Sequence, residues 1–294
     1  MPPAPIWLPV APWLFICVWS AGYAVAKLGL AYTNPLTLLV IRFGGALLLL
    51  TPFLIALRPV WPDRKELIAI LQIAFLVQIV HFGCVYLGME LGASAGIMGL
   101  FAASQPVLVQ IASTLFARHM PGARVWLGLA LGLAGAIWVL IARGLSDAGV
   151  LLGSMLGFIA VIGISIGASI ENRKKPRCHR LVNFWIQYAF ATIVFLPPAL
   201  VFTPFNLPLK AEFLGACAYL VLGNSLLGIY LFLTLMRYGR VGRVSSIMFL
   251  VPALAALFAW PLLDEVLPLT AWPGIALAAA GVMMVLYAGK KKRD

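Results

Sequence analysis

The chain has 294 residues, of which 63% are hydrophobic and 10% are charged, and its mean hydropathy is +1.03. Soluble domains are about half apolar and about a quarter charged, so this composition excludes a soluble protein and indicates an integral membrane protein. The net charge of +12 does not indicate a nucleic-acid partner, because most basic residues lie in short breaks between apolar runs. Basic loops of this kind orient a membrane protein, so the expected partner is the lipid bilayer and not nucleic acid.

Charges and Pro or Gly breaks divide the sequence into ten apolar runs, each about as long as the roughly 20 residues that cross a membrane as a helix. The runs are 11–31, 35–55, 67–89, 93–116, 124–142, 149–170, 181–202, 213–236, 242–263 and 269–288. Helix-start signals precede three of them, at Asn34-Pro35, Ser94 and Pro268. The sequence therefore predicts an all-α integral membrane protein with ten transmembrane helices.

The distribution of basic residues predicts the orientation of these helices. With the N-terminus inside, 17 of the 21 Lys and Arg residues fall in inner loops, and only Arg143 and Lys210 fall in outer loops. Cytoplasmic loops carry an excess of Lys and Arg, so we expect both termini to be cytoplasmic.

The two halves of the chain resemble each other at a spacing of 146 residues. The matched residues are Pro106 with Pro252, Trp126 with Trp272, Gly128 with Gly274, and Gly135 with Gly281. Because five spans is an odd number, the second half enters the membrane in the opposite orientation. The loop charges agree with this inversion. Arg118-His119, expected on the inner side, and Asp264-Glu265, expected on the outer side, occupy equivalent positions at the same spacing. We therefore predict two inverted-topology five-helix repeats, residues 1–148 and 149–294.

Several of these residues carry a resemblance to a known family. They are Asn34-Pro35, Arg42, Pro106, Pro252 and Glu265, together with the Gly-rich fifth and tenth runs. With them the chain resembles an EamA-type member of the drug/metabolite transporter superfamily, and it is most similar to the YddG-type exporters of aromatic amino acids. The resemblance implies an exporter of aromatic and other neutral amino acids in the bacterial inner membrane. The first half departs from the family pattern, having Arg118-His119 where an acidic residue often follows the fourth span.

The apolar runs contain no carboxylate near their middle, because all nine acidic residues fall in loops or at helix ends. A proton-driven carrier of organic cations usually needs such a carboxylate, so cationic substrates are disfavoured. The basic residues Lys27 and Arg42 lie in the outer halves of the first two runs. Either they extend to headgroups or to Glu90, or one of them attracts a substrate carboxylate, for which the deeper Arg42 is the better candidate.

His81 is the only histidine inside an apolar run, and Gln78 lies three residues earlier on the same helical face. His81 is either a structural hydrogen-bonding group or a titrating group that binds a carboxylate or couples a proton. No second ligand stands at helical spacing from His81, so we expect no metal, and we expect no cofactor.

Polar and aromatic side chains gather in the fourth, eighth and ninth runs. The further candidates for a cavity wall are Phe101, Ser104, Gln105, Asn224, Tyr230, Ser245, Ser246 and Phe249. Aromatic rings among small polar groups suit an amphipathic substrate with a flat apolar part, although Ser and Asn also serve as packing contacts between helices. Pro106 and Pro252 leave backbone groups beside these residues without a helical hydrogen bond, and these two prolines are the predicted hinges.

We predict a secondary transporter that exports small amphipathic metabolites, with aromatic or neutral amino acids as substrates, by alternating access through a central cavity. No GxxxxGK[ST] motif is present, so a gradient supplies the energy. The alternatives are a transporter of organic acids or sugar-linked metabolites, and an intramembrane enzyme. For an enzyme only Ser165 and His81 would be available, with no acidic residue to orient them.

Overall fold

The computed structural model describes residues 6–116, 122–142, 148–174, 178–202, 207–237, 250–264 and 268–290. All regular secondary structure in these ranges is helical, which confirms the all-α prediction. Five of the described helices are long and apolar enough to cross a membrane, and the others are shorter apolar segments.

The helices follow the predicted runs closely. The first five are α1 (Ala11–Leu30), α2 (Pro35–Leu57), α3 (Arg64–Glu90), α4 (Ala95–Ala103) and α5 (Gln105–Phe116). They are followed by α6 (Ala123–Ala142), α7 (Ala148–Lys174) and α8 (Arg180–Phe202). Helix α9 consists of the consecutive segments Ala211–Ala218, Tyr219–Leu227 and Gly228–Arg237. The last two are α10 (Val251–Leu263) and α11 (Trp272–Lys290), and a short 3-10 turn, Leu269–Ala271, precedes α11.

Two of the predicted helix starts carry side-chain caps. The Asn34 side chain accepts a hydrogen bond from the Thr37 amide at 2.9 Å, and Ser94 Oγ accepts one from the Ile97 amide at 3.1 Å. A side-chain oxygen in this position satisfies one of the free amides of the first helical turn. Helices α2 and α4 therefore begin where the sequence predicted.

The fourth predicted run is two helices and not one continuous helix. Helix α4 ends at Ala103, Ser104 forms a turn, and α5 begins at Gln105 with Pro106 as its second residue. Proline lacks an amide hydrogen and disfavours helical geometry in the residue before it, but it is well accommodated in the first turn of a helix. Pro252 occupies the same second position in α10. The predicted ninth run is described only from residue 250 onward.

Helices α3 and α9 each contain a π-helical segment that the sequence pattern did not predict. In α3 the segment is Phe75–Phe82, and in α9 it is Tyr219–Leu227. A π-helical turn is wider than an α-helical turn and is often found at functional sites, because it changes the direction in which side chains point. These segments carry Gln78 and His81 in α3, and Asn224 and Ser225 in α9.

The helices of one half pack mainly against helices of the other half. Helix α6 packs along α11, α2 along α8, and α1 along α10. In addition α2 contacts the π-helical segment of α9, while α8 contacts α3. Between α2 and α8, the Phe43 ring stacks on Tyr188 at 5.7 Å and on Phe195 at 6.2 Å between ring centroids. This packing brings buried polar residues of α1, α2, α3 and α9 together.

Candidate functional site

Arg42 is a buried cation in α2, with 4% of its surface exposed. Its Nε donates a hydrogen bond to Ser225 Oγ at 3.1 Å, and its Nη1 donates one to Tyr86 Oη at 2.9 Å. Its Nη2 donates to the side-chain oxygen of Asn224. The guanidinium group thus joins α2 to α3 and α9 through groups that carry no charge.

Aromatic rings also surround the guanidinium group. Its central carbon lies 4.0 Å from the centroid of the Phe82 ring and 5.6 Å from that of Phe43. Cation–π contacts stabilise a desolvated cation by about 2 kcal/mol, less than an ionic partner would supply. Among the residues that the structure describes, no carboxylate pairs with Arg42. Because a guanidinium group has five N–H donors and three are used, two remain available.

The π-helical segment of α9 explains why two neighbouring side chains of this helix both reach Arg42. Ser225 Oγ donates to the carbonyl of Leu220, five residues earlier, at 2.9 Å. The Asn224 amide nitrogen donates to the Val18 carbonyl of α1 at 3.2 Å. Helix α1 can approach this closely because Gly22 has no side chain, and a Cβ there would overlap the Asn224 amide.

A cavity lies beside Arg42, between α1, α2, α3 and α9. Its wall consists of Trp19, Gly22, Tyr23, Ala26, Arg42, Phe82, Val85, Tyr86 and Asn224. The centre of a water molecule can occupy about 10 Å³ of this space, which is room for about one water. A larger molecule would fit only after the surrounding helices move apart.

Two polar atoms in the cavity wall have no hydrogen-bond partner among the described residues. They are Trp19 Nε1 and Tyr23 Oη, which are both buried and lie near each other without the geometry of a hydrogen bond. Buried polar groups are almost always hydrogen-bonded, so such atoms call for an explanation. With the two available N–H groups of Arg42, they make the cavity wall rich in hydrogen-bond donors.

A second buried polar cluster lies between α3 and α8. The Gln78 amide nitrogen donates to the side-chain oxygen of Gln187 at 3.0 Å, and Gln187 donates to Asn183 at 2.9 Å. Gln78 and His81 were expected to act together, but the structure gives them different partners. His81 Nδ1 lies 3.0 Å from the Ala160 carbonyl of α7, so Nδ1 carries the proton and donates. Gln78 Oε1 and His81 Nε2 have no partner among the described residues.

The candidates of the fourth run lie outside the cavity wall. The Phe101 ring packs against Phe158 of α7 at 6.1 Å between centroids, in a second apolar cluster of α4, α6, α7 and α11. Ser104 and Gln105 lie at the junction of α4 and α5 and are partly buried. The structure places them at a helix break, and they are not among the hydrogen-bond partners of Arg42.

The remaining predicted residues are distributed as follows. Tyr230 is 56% exposed and lies against Trp7, because α9 turns this side of its last segment outward. Lys27 donates a hydrogen bond to the Ala93 carbonyl at 3.0 Å, which ties α1 to the chain before α4. Ser245, Ser246 and Phe249 lie outside the described residues.

Sequence reasoning missed several residues of this site, including Trp19, Tyr23, Phe82, Tyr86 and Ser225. A partial signal was present, because Trp19 and Tyr23 are four residues apart, as are Phe82 and Tyr86. Side chains at this spacing share one face of a helix. In an apolar chain rich in aromatic residues the spacing alone does not distinguish a cavity wall from a lipid-facing stripe.

Comparison with known proteins identifies the family. The model of the EamA-like transporter family matches the chain twice, over residues 11–141 and 149–287. The chain belongs to the EamA-like transporter family. Together with its apolar helices, this makes it a multi-pass inner-membrane transporter and not an enzyme.

Relatives of this EamA-like protein cover most of its length. The transporter YvbV of Bacillus subtilis (strain 168) is 24% identical over 285 residues, which are 95% of this chain and 91% of that protein. The inner membrane transporter YedA of Escherichia coli (strain K12) is 26% identical over 273 residues, which are 91% and 87% of the two chains. A crystal structure with 19% identity covers 95% of this chain and 96% of its own, with a TM-score of 0.66, and shares the fold.

Proposed function

We propose that this protein is a secondary transporter that exports small amphipathic carboxylates by alternating access through a central cavity. Aromatic and neutral amino acids, which the resemblance to YddG-type exporters implies, are its proposed substrates. Arg42 binds the carboxylate, and the aromatic side chains of the wall contact the flat apolar part. Organic acids with an aromatic ring have the same two features and are the second class.

The observation that carries this proposal is the buried guanidinium group of Arg42, whose hydrogen bonds all go to uncharged acceptors. A charge in the hydrocarbon region costs about 2.5–3.5 kcal/mol on insertion scales, so such residues usually have a function. A carboxylate can accept two parallel hydrogen bonds from arginine, which is the strongest arrangement of this pair. One N–H group on each terminal nitrogen of Arg42 is not used in the three hydrogen bonds, and Arg42 lines the cavity, which supports a carboxylate as its ligand.

The proposal includes ten transmembrane helices, arranged as inverted repeats of residues 1–148 and 149–294 with both termini in the cytoplasm. The helix contacts support the repeat, because equivalent helices of the two halves make equivalent contacts. Helix α1 packs on α10, and its counterpart α7 packs on α4 and α5. In the same way α2 packs on α9 as α8 packs on α3. Inverted repeats generally carry the substrate site at their interface.

The small size of the cavity supports a mechanism in which helices move. A transporter that alternates between two openings passes through closed states in which its site is too small for exchange with solvent. Pro106 and Pro252, each in the first turn of a helix that follows a break or a short turn, are the proposed hinges. Because a helix begins at each proline, the chain can bend there without disrupting a long helix.

Transport by purified protein in liposomes tests the proposal directly. We expect saturable uptake of labelled tryptophan by the wild type, and about a tenfold to hundredfold loss in Arg42→Gln, since hydrogen bonds to charged groups contribute about 1.5–3 kcal/mol. The matched control is Arg58→Gln, which makes the same change at an exposed residue at the end of the same helix.

Arg58→Gln should transport like the wild type. Folding of each variant is checked by its elution as a single species and by its thermal unfolding in detergent. Wild-type activity retained in a folded Arg42→Gln protein would contradict the role of Arg42. An absence of saturable uptake for amino acids and for aromatic organic acids alike would overturn the proposed substrate class.

A further inference from the structure

The wall of the Arg42 cavity has available donors, whereas most of its acceptors are already in use. The donors are the two remaining N–H groups of Arg42, the Trp19 indole N–H and the Tyr23 hydroxyl, which can also accept. The last two lie near each other, and neither has a well-formed hydrogen bond to the described residues. The oxygen of Asn224 accepts a hydrogen bond from Arg42, as does the oxygen of Tyr86. The Asn224 amide nitrogen is also engaged, with Val18.

No negative charge offsets this donor excess in the described part of the chain. The described acidic residues lie at helix ends or in loops, and none of them contacts Arg42: Asp63, Glu66, Glu90, Glu171, Glu212 and Asp264. The three other acidic residues, Asp147, Glu265 and Asp294, lie in breaks of the apolar pattern or at the C-terminus. Within the described part of the chain, no carboxylate therefore compensates the positive charge of Arg42 at the cavity, and arginine stays protonated in proteins.

We infer that this site binds carboxylate anions in preference to zwitterions of the same shape. The inference rests on the proposed function and narrows its substrate class. A carboxylate neutralises Arg42 and accepts hydrogen bonds from the free donors. An α-ammonium group brings a second positive charge close to Arg42, and taking it out of water costs free energy that only a carboxylate or several free acceptors would offset. Amino acids thus bind more weakly than aromatic acids without an amino group.

Two ligands that differ only in the α-ammonium group test this inference. 3-Phenylpropanoate has the carboxylate, chain length and ring of L-phenylalanine but no amino group. We expect it to stabilise the purified protein against heat, and to inhibit tryptophan uptake, at concentrations about tenfold lower, a difference of about 1.4 kcal/mol. L-Phenylalaninamide, which has the ammonium group and no carboxylate, should have no effect.

The outcomes separate this inference from the proposed function. Equal or tighter binding of L-phenylalanine would overturn the preference for anions and leave a transporter of amino acids. Binding of 3-phenylpropanoate without uptake of any labelled acid would keep the preference and overturn the transport proposal. Absence of binding by both ligands would overturn the inference and also the assigned substrate class.

Two mild variants test the donors without removing the buried charge. Trp19→Phe and Tyr23→Phe each remove one hydrogen-bond donor and keep an aromatic ring. Both ligands carry the carboxylate that these donors bind, so we expect the affinity for each ligand to fall by about threefold and the ratio of the two affinities to stay the same. The matched control is Trp13→Phe in the same helix, where the indole is 54% exposed. Wild-type affinity for both ligands in both cavity variants would overturn the role of the donors. An equal loss of affinity in Trp13→Phe would overturn it as well, because the effect would then not come from the cavity.

Discussion

At the scale of single residues, Arg42 explains much of the interior of this protein. A permanent charge lies in an apolar helix and is held by a serine, a tyrosine and an asparagine from two other helices. Two of these groups are themselves fixed, Asn224 by a hydrogen bond to Val18 and Ser225 by one to Leu220. Such a network holds the guanidinium group in one orientation before a ligand arrives, which lowers the entropic cost of binding.

Gly22 provides a test of this network that leaves every polar residue in place. A methyl group in Gly22→Ala would overlap the Asn224 amide, so the amide would lose its hydrogen bond to Val18 or to Arg42. We expect a loss of about 1–3 kcal/mol in stability and a clear loss of uptake. Thermal unfolding and liposome uptake measure the two effects.

The control for Gly22→Ala is Gly215→Ala in α9, where an added methyl group meets no atom within 4 Å. This variant should be as stable as the wild type or slightly more stable, because alanine favours the helix. Equal behaviour of the two variants would contradict the importance of the contact between Gly22 and Asn224.

At the scale of helices, α6 and α11 form a close pair whose contact is made by small apolar residues, unlike the hydrogen-bonded contacts around Arg42. Its contact surface is formed by glycines: a Cβ at Gly135 would meet the Gly274 backbone, and one at Gly281 would meet the backbone of Gly128 and Gly132. Small residues allow helix backbones to approach closely in a membrane, where packing replaces the hydrophobic effect as a driving force. Outside this pair, the main helix contacts of α6 and α11 are with α4 and α5.

A larger side chain in this contact should weaken the pair. We expect Gly281→Val to lower the free energy of unfolding by about 1–3 kcal/mol, because backbone atoms of α6 cannot move aside as a flexible side chain would. Thermal unfolding of the purified protein measures this effect. The control Ala280→Val changes the neighbouring, exposed position and should leave stability nearly unchanged. Equal losses in both variants would show that the contact has no special role.

At the scale of the whole molecule, the proposed orientation follows from the basic loops. In the proposed orientation the loop at Val60 is cytoplasmic and the loop at Lys210 lies on the opposite side, and both residues are exposed. Single cysteines at these positions can report the side directly, after the native cysteines have been replaced by alanine. The native cysteines are Cys17, Cys84, Cys178 and Cys217.

With a membrane-impermeant maleimide added to intact cells, Lys210→Cys should be labelled and Val60→Cys should not. Both should be labelled after the cells are permeabilised, which serves as the control for thiol reactivity. The native Cys178 is a poor reporter, since burial raises the pKa of its thiol and the nearby Glu66 carboxylate acts in the same direction. Labelling of Val60→Cys in intact cells would contradict the proposed topology.

The sequence by itself determined the class of protein, the positions of most helices and the caps at Asn34 and Ser94. These features depend on hydropathy and on hydrogen bonds between residues three or four apart, so they can be read locally. It also singled out Arg42 and Asn224 as polar residues in apolar runs, without indicating that they meet.

Only the tertiary structure decided which polar groups form the site. Arg42 and Asn224 are 182 residues apart, and their contact depends on how α2 and α9 are rotated toward each other. The π-helical segment of α9 sets which of its side chains face α2, and hydropathy does not distinguish such a segment from a regular α-helix. For the same reason Tyr230 was predicted in the cavity but lies at the surface. A side chain's direction is fixed by helix packing, which no local pattern specifies.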